Sequence, residues 1–249
     1  MALLTYQIAY LKAHYPVEYL AALLTSVRSN LDKAAVYLNE CRVLGIAVEV
    51  PDINVARSDF EPVPTLDAPT GESPGRIVFG LSAVRNVGTG LVELIEAERA
   101  ANGPFEDFYD FAERCDTTVL NKRTVESVIK AGAFDAMGHP RQGLLHAYEQ
   151  IIDHTLARRR EHDTGVMSLF GESEGGPTFD ERTGIPDVEF DKSTRLAFEK
   201  EMLGLYVSDH PLMGYEVALR RRTDASIGEL LEAEDGMIRT VGGVVTGLS

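Results

Sequence analysis

The stretch GLSAVRNVGTGLVELI has glycines at the spacing of a tight turn between two short amphipathic helices. The predicted turn consists of Val87, Gly88, Thr89 and Gly90. Glycine permits backbone angles that other residues resist, so the turn can be very tight. A tight turn exposes the amide N–H groups at the start of the second helix, where the helix dipole also favours negative charge. We predict that these amides bind a phosphate oxygen and that Arg85 adds a charged contact.

This arrangement is that of a helix-hairpin-helix motif, which holds duplex DNA by its backbone without reading the base sequence. Thr89 departs from the usual pattern, in which an apolar residue separates the two glycines. The structural alternative is a plain helix–helix turn that needs glycine for its shape alone. A single short motif does not decide between these two interpretations.

A second candidate contact lies in the segment NKRTVESVIKAG. Lys122 and Arg123 fall in the first turn of the predicted helix, where the helix dipole disfavours cations. Cations placed against that preference indicate a nearby anion, and a DNA phosphate would fit. A solvated helix face is the alternative. The three arginines 158–160 end the following helix, where cations complement the dipole, so most of their role is expected to be structural.

The net charge of −15 is unfavourable for nucleic-acid binding, because phosphate contacts need Lys and Arg. The distribution of the charge matters more than its sum. Residues 161–191 contain nine acidic residues and one Arg, within a stretch rich in Gly and Pro. Residues 119–160 contain seven Lys and Arg against four acidic residues. A mildly basic region therefore stands immediately before an acidic linker.

Apolar residues at helical spacing predict a mainly α fold, a helical bundle with tandem helix-hairpin-helix motifs. Asn30, Asn121 and Ser193 are predicted to cap three of the helices. A small β element near residues 46–80 would contain the strands IAVEV and RIVFG, separated by a loop rich in Pro and Gly. The last segment, MIRTVGGVVTGLS, reads as a truncated β-strand without a partner strand in this chain.

Other features narrow the class of protein. The sequence has no apolar stretch long enough for a membrane span and no signal-peptide pattern. Cys41 and Cys115 lie far apart without ligand neighbours, so we predict buried thiols in a reducing cytoplasm and no metal site. No Asp-x-Asp pair stands in a strand-like context, as two-metal phosphoryl transfer would need.

Five segments occur in the order and with the residues of one known family. They are AYLKAHYPVEYLAALLTSV, ECRVLGIAVEVPDINVARSDF, GLSAVRNVG, NKRTVESVIKAGAFD and LGLYVSDHPL. Together they resemble the alpha subunit of bacterial DNA polymerase III, the replicative family C polymerase, and they cover most of the chain. Five ordered matches are far more specific than one glycine pair.

The resemblance implies three regions. Residues 1–80 would be the C-terminal part of the fingers domain. Residues 81–235 would be the helix-hairpin-helix and clamp-binding region, with the acidic linker at 161–192, and residues 236–249 the first strand of an OB-fold. In the family the catalytic carboxylates, and the Mg²⁺ that they hold, belong to the palm domain. We therefore expect a part of a longer polypeptide that holds no cofactor and does not synthesise DNA alone.

The resemblance also implies a docking peptide for the sliding clamp in the stretch GVMSLFG. The peptide would consist of Val166, Met167, Ser168, Leu169 and Phe170, with Val166 in the place of the family's Gln. A Leu–Phe pair in a polar stretch has no local core to fill, so it can anchor in a partner's pocket. Alternatively, the pair folds back onto its own helices.

The favoured function is a non-catalytic module that binds double-stranded DNA, docks the sliding clamp and works with other replicase subunits in the cytoplasm. The first alternative is a helix-hairpin-helix repair enzyme, such as a base-excision glycosylase, with Asp107 or Asp110 as the catalytic acid. The second alternative is a scaffold in which the glycine turn serves packing alone.

Overall fold

A computed structural model describes residues 2–28, 30–64, 75–164, 183–209 and 212–244 of the chain. The chain forms two compact units, Met1–Val207 and Ser208–Ser249. The predicted region boundaries after residues 80 and 235 stay predictions. Within the described ranges, no helix is both long and apolar enough to cross a membrane.

The fold is mainly helical, as the apolar periodicity predicted. In the described part of the first unit the helices are α1 (Ala2–His14), α2 (Pro16–Ser26), α3 (Leu31–Val43), α4 (Thr89–Asn102), α5 (Phe108–Arg114), α6 (Lys122–Lys130), α7 (Arg141–Thr164) and α8 (Lys192–Leu203). The second unit contains α9 (Glu216–Arg222). Short 3₁₀-helices lie at Leu81–Ala83, Asp135–Met137 and Glu229–Glu232.

Several helices begin at side chains that cap them. The side chain of Asn30 accepts a hydrogen bond from the Lys33 amide at the start of α3, and Asn121 caps α6, both as predicted. The prediction that Ser193 caps α8 is wrong. Asp191 caps this helix by accepting from the Thr194 amide at 2.7 Å, because its carboxylate stands three residues before that amide.

A small sheet of three strands precedes the helical half of the first unit. Its order is β1 (Ala47–Glu49), β3 (Gly75–Val78), β2 (Glu61–Pro64), with β1 parallel and β2 antiparallel to β3. The strands predicted from IAVEV and RIVFG are confirmed. The prediction of a loop over the residues of β2, which are rich in proline, is wrong. Proline lacks an amide hydrogen but is tolerated on an edge strand, which is where β2 lies.

Four phenylalanines form the core around α5. Phe108 and Phe111 project from α5, and both pack edge-on against Phe134, with ring centroids 5.1 and 5.0 Å apart. Phe105 packs against Phe111 at 5.3 Å. Because Phe134 follows α6, this cluster fixes the end of α6 relative to α5, while α7 packs against both helices.

The C-terminal segment does not form the predicted strand within the residues that the structure describes. Residues 237–244 have no β-ladder partner in the second unit, and a strand needs one to satisfy its backbone groups. The backbone is instead joined to the turn after α9. The Asp224 amide donates to the Thr240 carbonyl at 3.0 Å, and the Thr240 amide donates to Asp224 Oδ1 at 2.8 Å.

A buried arginine joins the end of α6 and the following 3₁₀-helix to α7 and α8. Arg141, the first residue of α7, is 3% exposed, and its Nη2 lies 2.7 Å from Asp135 Oδ2 and 3.2 Å from Glu199 Oε1. Burial lowers the pKa of Arg141, but the hydrogen bond and charge of Asp135, with the charge of Glu199, outweigh it and raise the pKa. Gly132, at φ +88°, leaves room for the guanidinium, because a Cβ there would collide with it.

We predict that Arg141→Met lowers the free energy of unfolding by about 3–5 kcal/mol, because it leaves the Glu199 carboxylate buried without its cation. Urea denaturation followed by circular dichroism measures the change. Adding Glu199→Gln to this variant should recover part of the loss. The exposed Arg123→Met is the control and should change stability by less than about 0.5 kcal/mol. A loss below about 1 kcal/mol for Arg141→Met would contradict this role.

Candidate nucleic-acid interface

The first glycine bend connects a 3₁₀-helix to α4. The element before the bend, Leu81–Ala83, is a single 3₁₀ turn and not the α-helix of a symmetric hairpin. The chain after this turn is fixed to α8, because the Arg85 amide donates a hydrogen bond to the Met202 carbonyl at 2.9 Å. Val87 is buried, whereas Gly88 and Thr89 are exposed as α4 begins. The bend therefore lies on the surface with its apolar residue inward.

The tight angle of the bend is provided by an asparagine. Among the non-glycine residues that the structure describes, Asn86 alone has a positive φ, at +66°. Gly88 has a φ of −90°, which any residue adopts. The prediction that the glycines supply the unusual backbone angles is therefore wrong. Asn tolerates the left-handed region because its short polar side chain can hydrogen-bond locally.

Gly88 and Gly90 have no role in the protein's own packing. A Cβ added at either position would meet no heavy atom within 4 Å among the described residues. Gly80, at the start of the same segment, is different, because a Cβ there would lie 2.6 Å from the Ser58 carbonyl oxygen. The alternative that glycine serves shape alone thus fits Gly80 and leaves Gly88 and Gly90 unexplained by the fold.

The start of α4 is open to an anion. Its N-cap residue is Gly88, so no side chain caps it, and its first turn contains no acidic residue. The Leu91 amide donates to the Gly88 carbonyl at 3.0 Å, but the Thr89 and Gly90 amides have no hydrogen bond to a described residue. Exposed amides at the positive end of a helix form a site suited to a phosphate oxygen.

The second candidate contact, at the start of α6, is built differently. Asn121 Oδ1 already accepts from the Arg123 and Thr124 amides, so this helix end is capped. Lys122 pairs with α7, its Nζ lying 2.8 Å from Asp153 Oδ2 and 3.3 Å from Glu149 Oε2.

The hydrogen bond to Asp153, with a second to Glu149, raises the pKa of Lys122. The anion that the sequence predicted beside Lys122 is therefore available within the protein itself. Arg123 is exposed, and the structure records no ion pair between it and a described residue.

The structure brings the two candidate contacts together through Asn86. Its Nδ2 donates to Ser127 Oγ at 2.9 Å, and its carbonyl accepts from Thr124 Oγ1 at 3.3 Å. Ser127 Oγ in turn donates to the Arg123 carbonyl at 2.9 Å. The bend and the first turns of α6 are thus directly hydrogen-bonded, a contact that sequence reasoning did not find.

Sequence reasoning also missed the loop that supports α4. Asn54 exchanges two hydrogen bonds with the Phe105 backbone, both 2.8 Å long. Arg99, on α4, donates to the carbonyls of Ile53 and Ala56 at 2.8 and 3.1 Å. Asn54 and the two carbonyls that Arg99 contacts lie in the segment PDINVARSDF, for which the sequence alone predicted no role. They fix α4 to the sheet-side loop.

The prediction that arginines 158–160 end their helix is wrong, because α7 continues to Thr164, and Arg158 and Arg159 contact the protein itself. Arg159 Nη2 donates to three carbonyls at the end of α5, those of Ala112, Glu113 and Cys115, at 2.7–2.9 Å. Arg158 pairs with the Glu113 carboxylate at 2.9 Å. Their main role is structural, as expected, because a guanidinium satisfies carbonyls that a helix end leaves unpaired.

The two carboxylates of the repair-enzyme alternative have structural partners. Asp107 caps α5 by accepting from the Asp110 amide at 2.7 Å. The Asp110 carboxylate pairs with Arg114 at 2.8 Å. Among the described residues, no group of three or more His, Cys, Asp and Glu side chains could hold a metal ion.

The cysteines are buried thiols, as predicted. Burial raises the pKa of Cys41 to about 11 and that of Cys115 to about 12. Neither thiol is placed for chemistry, because the thiolate is the reactive form and it is disfavoured in both sites.

The predicted clamp peptide, Val166–Phe170, lies outside the described residues. Residues 183–189, further along the chain, contact α7. Glu189 accepts from the Arg141 amide at 3.1 Å, and the Gly143 amide donates to the Val188 carbonyl at 3.1 Å. The chain is therefore fixed to the helical core again shortly after the peptide.

Residues 45–144 match the family model described as a helix-hairpin-helix motif, and this range contains both the glycine bend and α6. Residues 45–144 are accordingly similar to helix-hairpin-helix proteins. It is 41% identical over 255 residues to the DNA polymerase III subunit alpha of Mycobacterium tuberculosis (strain ATCC 25618 / H37Rv), covering 99% of this chain and 20% of that protein.

Two further relatives carry the same name. The protein of Thermus aquaticus is 42% identical over 93% of this chain and 18% of its own length. That of Pseudomonas aeruginosa is 37% identical over 99% of this chain and 21% of its own length. The chain thus spans about one fifth of the length of these relatives. The resemblance to the DNA polymerase III alpha subunits is confirmed.

We predict that Gly90→Ala raises the free energy of unfolding by up to about 1 kcal/mol, because alanine favours the helix and its Cβ meets open space. Gly88→Ala should lower it by about 0.5–1 kcal/mol, because alanine is a poorer N-cap residue than glycine. Gly80→Ala is the contrasting variant and should lower stability by about 1–3 kcal/mol, because its Cβ would press on backbone atoms. Urea denaturation measures all three. Equal losses at positions 80 and 90 would show that Gly90 serves internal packing.

Proposed function

We propose that this chain binds the backbone of double-stranded DNA without sequence preference, as part of a polymerase related to the DNA polymerase III alpha subunits. One observation carries the proposal: Gly88 and Gly90 are exposed, and neither backbone angle nor internal packing requires them. Glycine at such positions allows a partner's backbone to approach the exposed amides closely. The match to a helix-hairpin-helix family model supports the same function.

The electrostatics of the helix starts support this site within an acidic chain. The first turns of α4 and α6 contain no acidic residue, although the chain carries 39 Asp and Glu. Arg85 and Arg123 are both exposed. Arg85 lies three residues before Gly88, and Arg123 is joined to the bend through Ser127. These two guanidinium groups would face phosphates on either side of the amides.

Lys122 would contribute less than Arg123. Its ammonium group already lies near two carboxylates of α7, and a phosphate would compete with both. Val87 would contribute by packing the bend inward and not by contact with DNA.

The parent activity would be DNA-directed DNA synthesis in the cytoplasm together with other replicase subunits. Its catalytic carboxylates and Mg²⁺ would belong to a palm domain, and no step of the proposal uses a metal held by this chain. The module described here would hold the duplex during processive replication.

A salt titration of duplex binding tests the glycine bend. The double variant Gly88→Leu/Gly90→Leu should weaken binding to a duplex of about 20 base pairs by tenfold or more, since two amide contacts are blocked. Fluorescence anisotropy at salt concentrations from about 20 to about 200 mM measures the affinity. We expect the affinity to fall steeply as the salt concentration rises.

Gly184→Leu is the matched control, because Gly184 is also exposed, has no positive φ and offers open space for a Cβ. It should leave the affinity unchanged. Unchanged binding by the Gly88→Leu/Gly90→Leu variant, with its fold intact, would contradict the DNA-binding proposal.

We also propose that Val166, Met167, Ser168, Leu169 and Phe170 dock a bacterial sliding clamp. The support is the Leu–Phe pair in a stretch rich in Gly and acidic residues, between α7 and the segment that Glu189 fixes to it. A peptide held at both ends loses less entropy on binding than a free tail. The absence of a Gln at position 166 removes one polar contact.

Titration of a bacterial sliding clamp tests this peptide. Leu169→Ala/Phe170→Ala should weaken binding at least tenfold, because anchor side chains dominate such contacts. Val166→Gln should strengthen it, since it restores the family's polar residue. Leu230→Ala/Met237→Ala is a control that removes two exposed apolar side chains elsewhere. Equal affinity for all variants and the wild type would reject clamp docking through this peptide.

A further inference from the structure

We propose that Asn86 is a positioning residue that sets the glycine bend and Arg123 at one fixed spacing, so that both engage the same DNA backbone. The proposal rests on the DNA binding proposed above. Its basis is the Asn86 staple, defined as the two hydrogen bonds from Asn86 Nδ2 to Ser127 Oγ and from Thr124 Oγ1 to the Asn86 carbonyl.

The staple is directional and partly buried. Ser127 and Thr124 are only 3% and 6% exposed, although Asn86 itself lies on the surface. Hydrogen bonds in such surroundings are stronger than in water and hold one geometry, whereas an apolar contact would allow the two elements to slide. The staple therefore fixes a distance and an orientation as well as contributing stability.

The two ends of the staple each lie beside a proposed phosphate contact. Asn86 stands two residues before Gly88, the N-cap of α4. Thr124 directly follows Arg123, and Ser127 Oγ donates to the Arg123 carbonyl at 2.9 Å. Contacts that act on one rigid ligand need placement within fractions of an ångström, and supporting hydrogen bonds supply it. The two hydrogen bonds of the staple directly connect the glycine bend to the first turns of α6.

The choice of residue also points to a role for the side chain. Position 86 has a φ of +66°, a conformation that glycine adopts with less strain than asparagine. Glycine would form the same turn but would lack the amide that reaches Ser127. Asparagine at this position therefore combines the turn with the link to α6.

A double-variant experiment on DNA binding tests the staple in the whole 249-residue chain. Asn86→Gly keeps the turn, Thr124→Val keeps the size of the side chain, and together they remove both hydrogen bonds. In the wild type, Arg123→Ala should weaken duplex binding about tenfold and reduce the salt slope by about one, as for loss of one phosphate contact. In the staple-free variant the same change should weaken binding less than about threefold, because the cation is no longer aligned.

Ser82→Ala is the matched control, since it removes a hydroxyl and a 2.6 Å hydrogen bond to Ser58 without touching α6. In that background Arg123→Ala should retain its full tenfold effect, whatever the loss in thermal stability. If Arg123→Ala weakens binding equally with and without the staple, the positioning role is overturned while DNA binding stands. If the wild type does not bind duplex at low salt, the proposed function fails, and the positioning role with it.

Discussion

The Thr89 and Gly90 amides at the start of α4 have no acceptor among the described residues, and the absence of a capping side chain leaves them exposed. A Ser, Asp or Asn at the N-cap would satisfy them with its own oxygen and occupy the space of an incoming phosphate. Gly88 avoids this, and a glycine N-cap weakens a helix by only a few tenths of a kcal/mol relative to the best caps. The helix therefore forms without a cap and leaves its positive end available.

The exposed glycine bend needs rigid support from the residues packed beneath it. Three sets of interactions provide that support. Arg141 joins the end of α6 to α7 and α8, while Asn54 and Arg99 fix α4 to the loop beside the sheet. The phenylalanine cluster around α5 adds a tightly packed core under α6. The side chains that make these contacts are buried or partly buried. The bend itself is exposed and held by hydrogen bonds at its edges.

The sequence predicted those features that depend on neighbours along the chain. The caps Asn30 and Asn121, the helices with an apolar stripe and two of the strands all follow from local patterns. The features it missed depend on distant residues. Lys122 meets carboxylates 27 and 31 positions later, and Asn86 meets Ser127 across 41 positions. No spacing rule reveals such pairs before the fold is known.

The positive φ of Asn86 shows a second reason why a prediction from the sequence was wrong. The sequence analysis assigned the tight turn to the glycines because glycine most readily adopts left-handed angles. The structure assigns it to Asn86, which leaves both glycines without a conformational role. Neither a positive φ nor internal packing requires glycine at these positions, so the exposed surface of the bend is open to an external group. The corrected turn is therefore compatible with the DNA-binding proposal.

Binding through main-chain amides, as proposed for the start of α4, would resolve the conflict between a net charge of −15 and a polyanionic partner. An amide contact adds no charge, so it can operate in an acidic chain if the helix start itself carries no carboxylate, and the first turn of α4 contains none. Amides contact the phosphate and not the base, so every position along a duplex is equivalent.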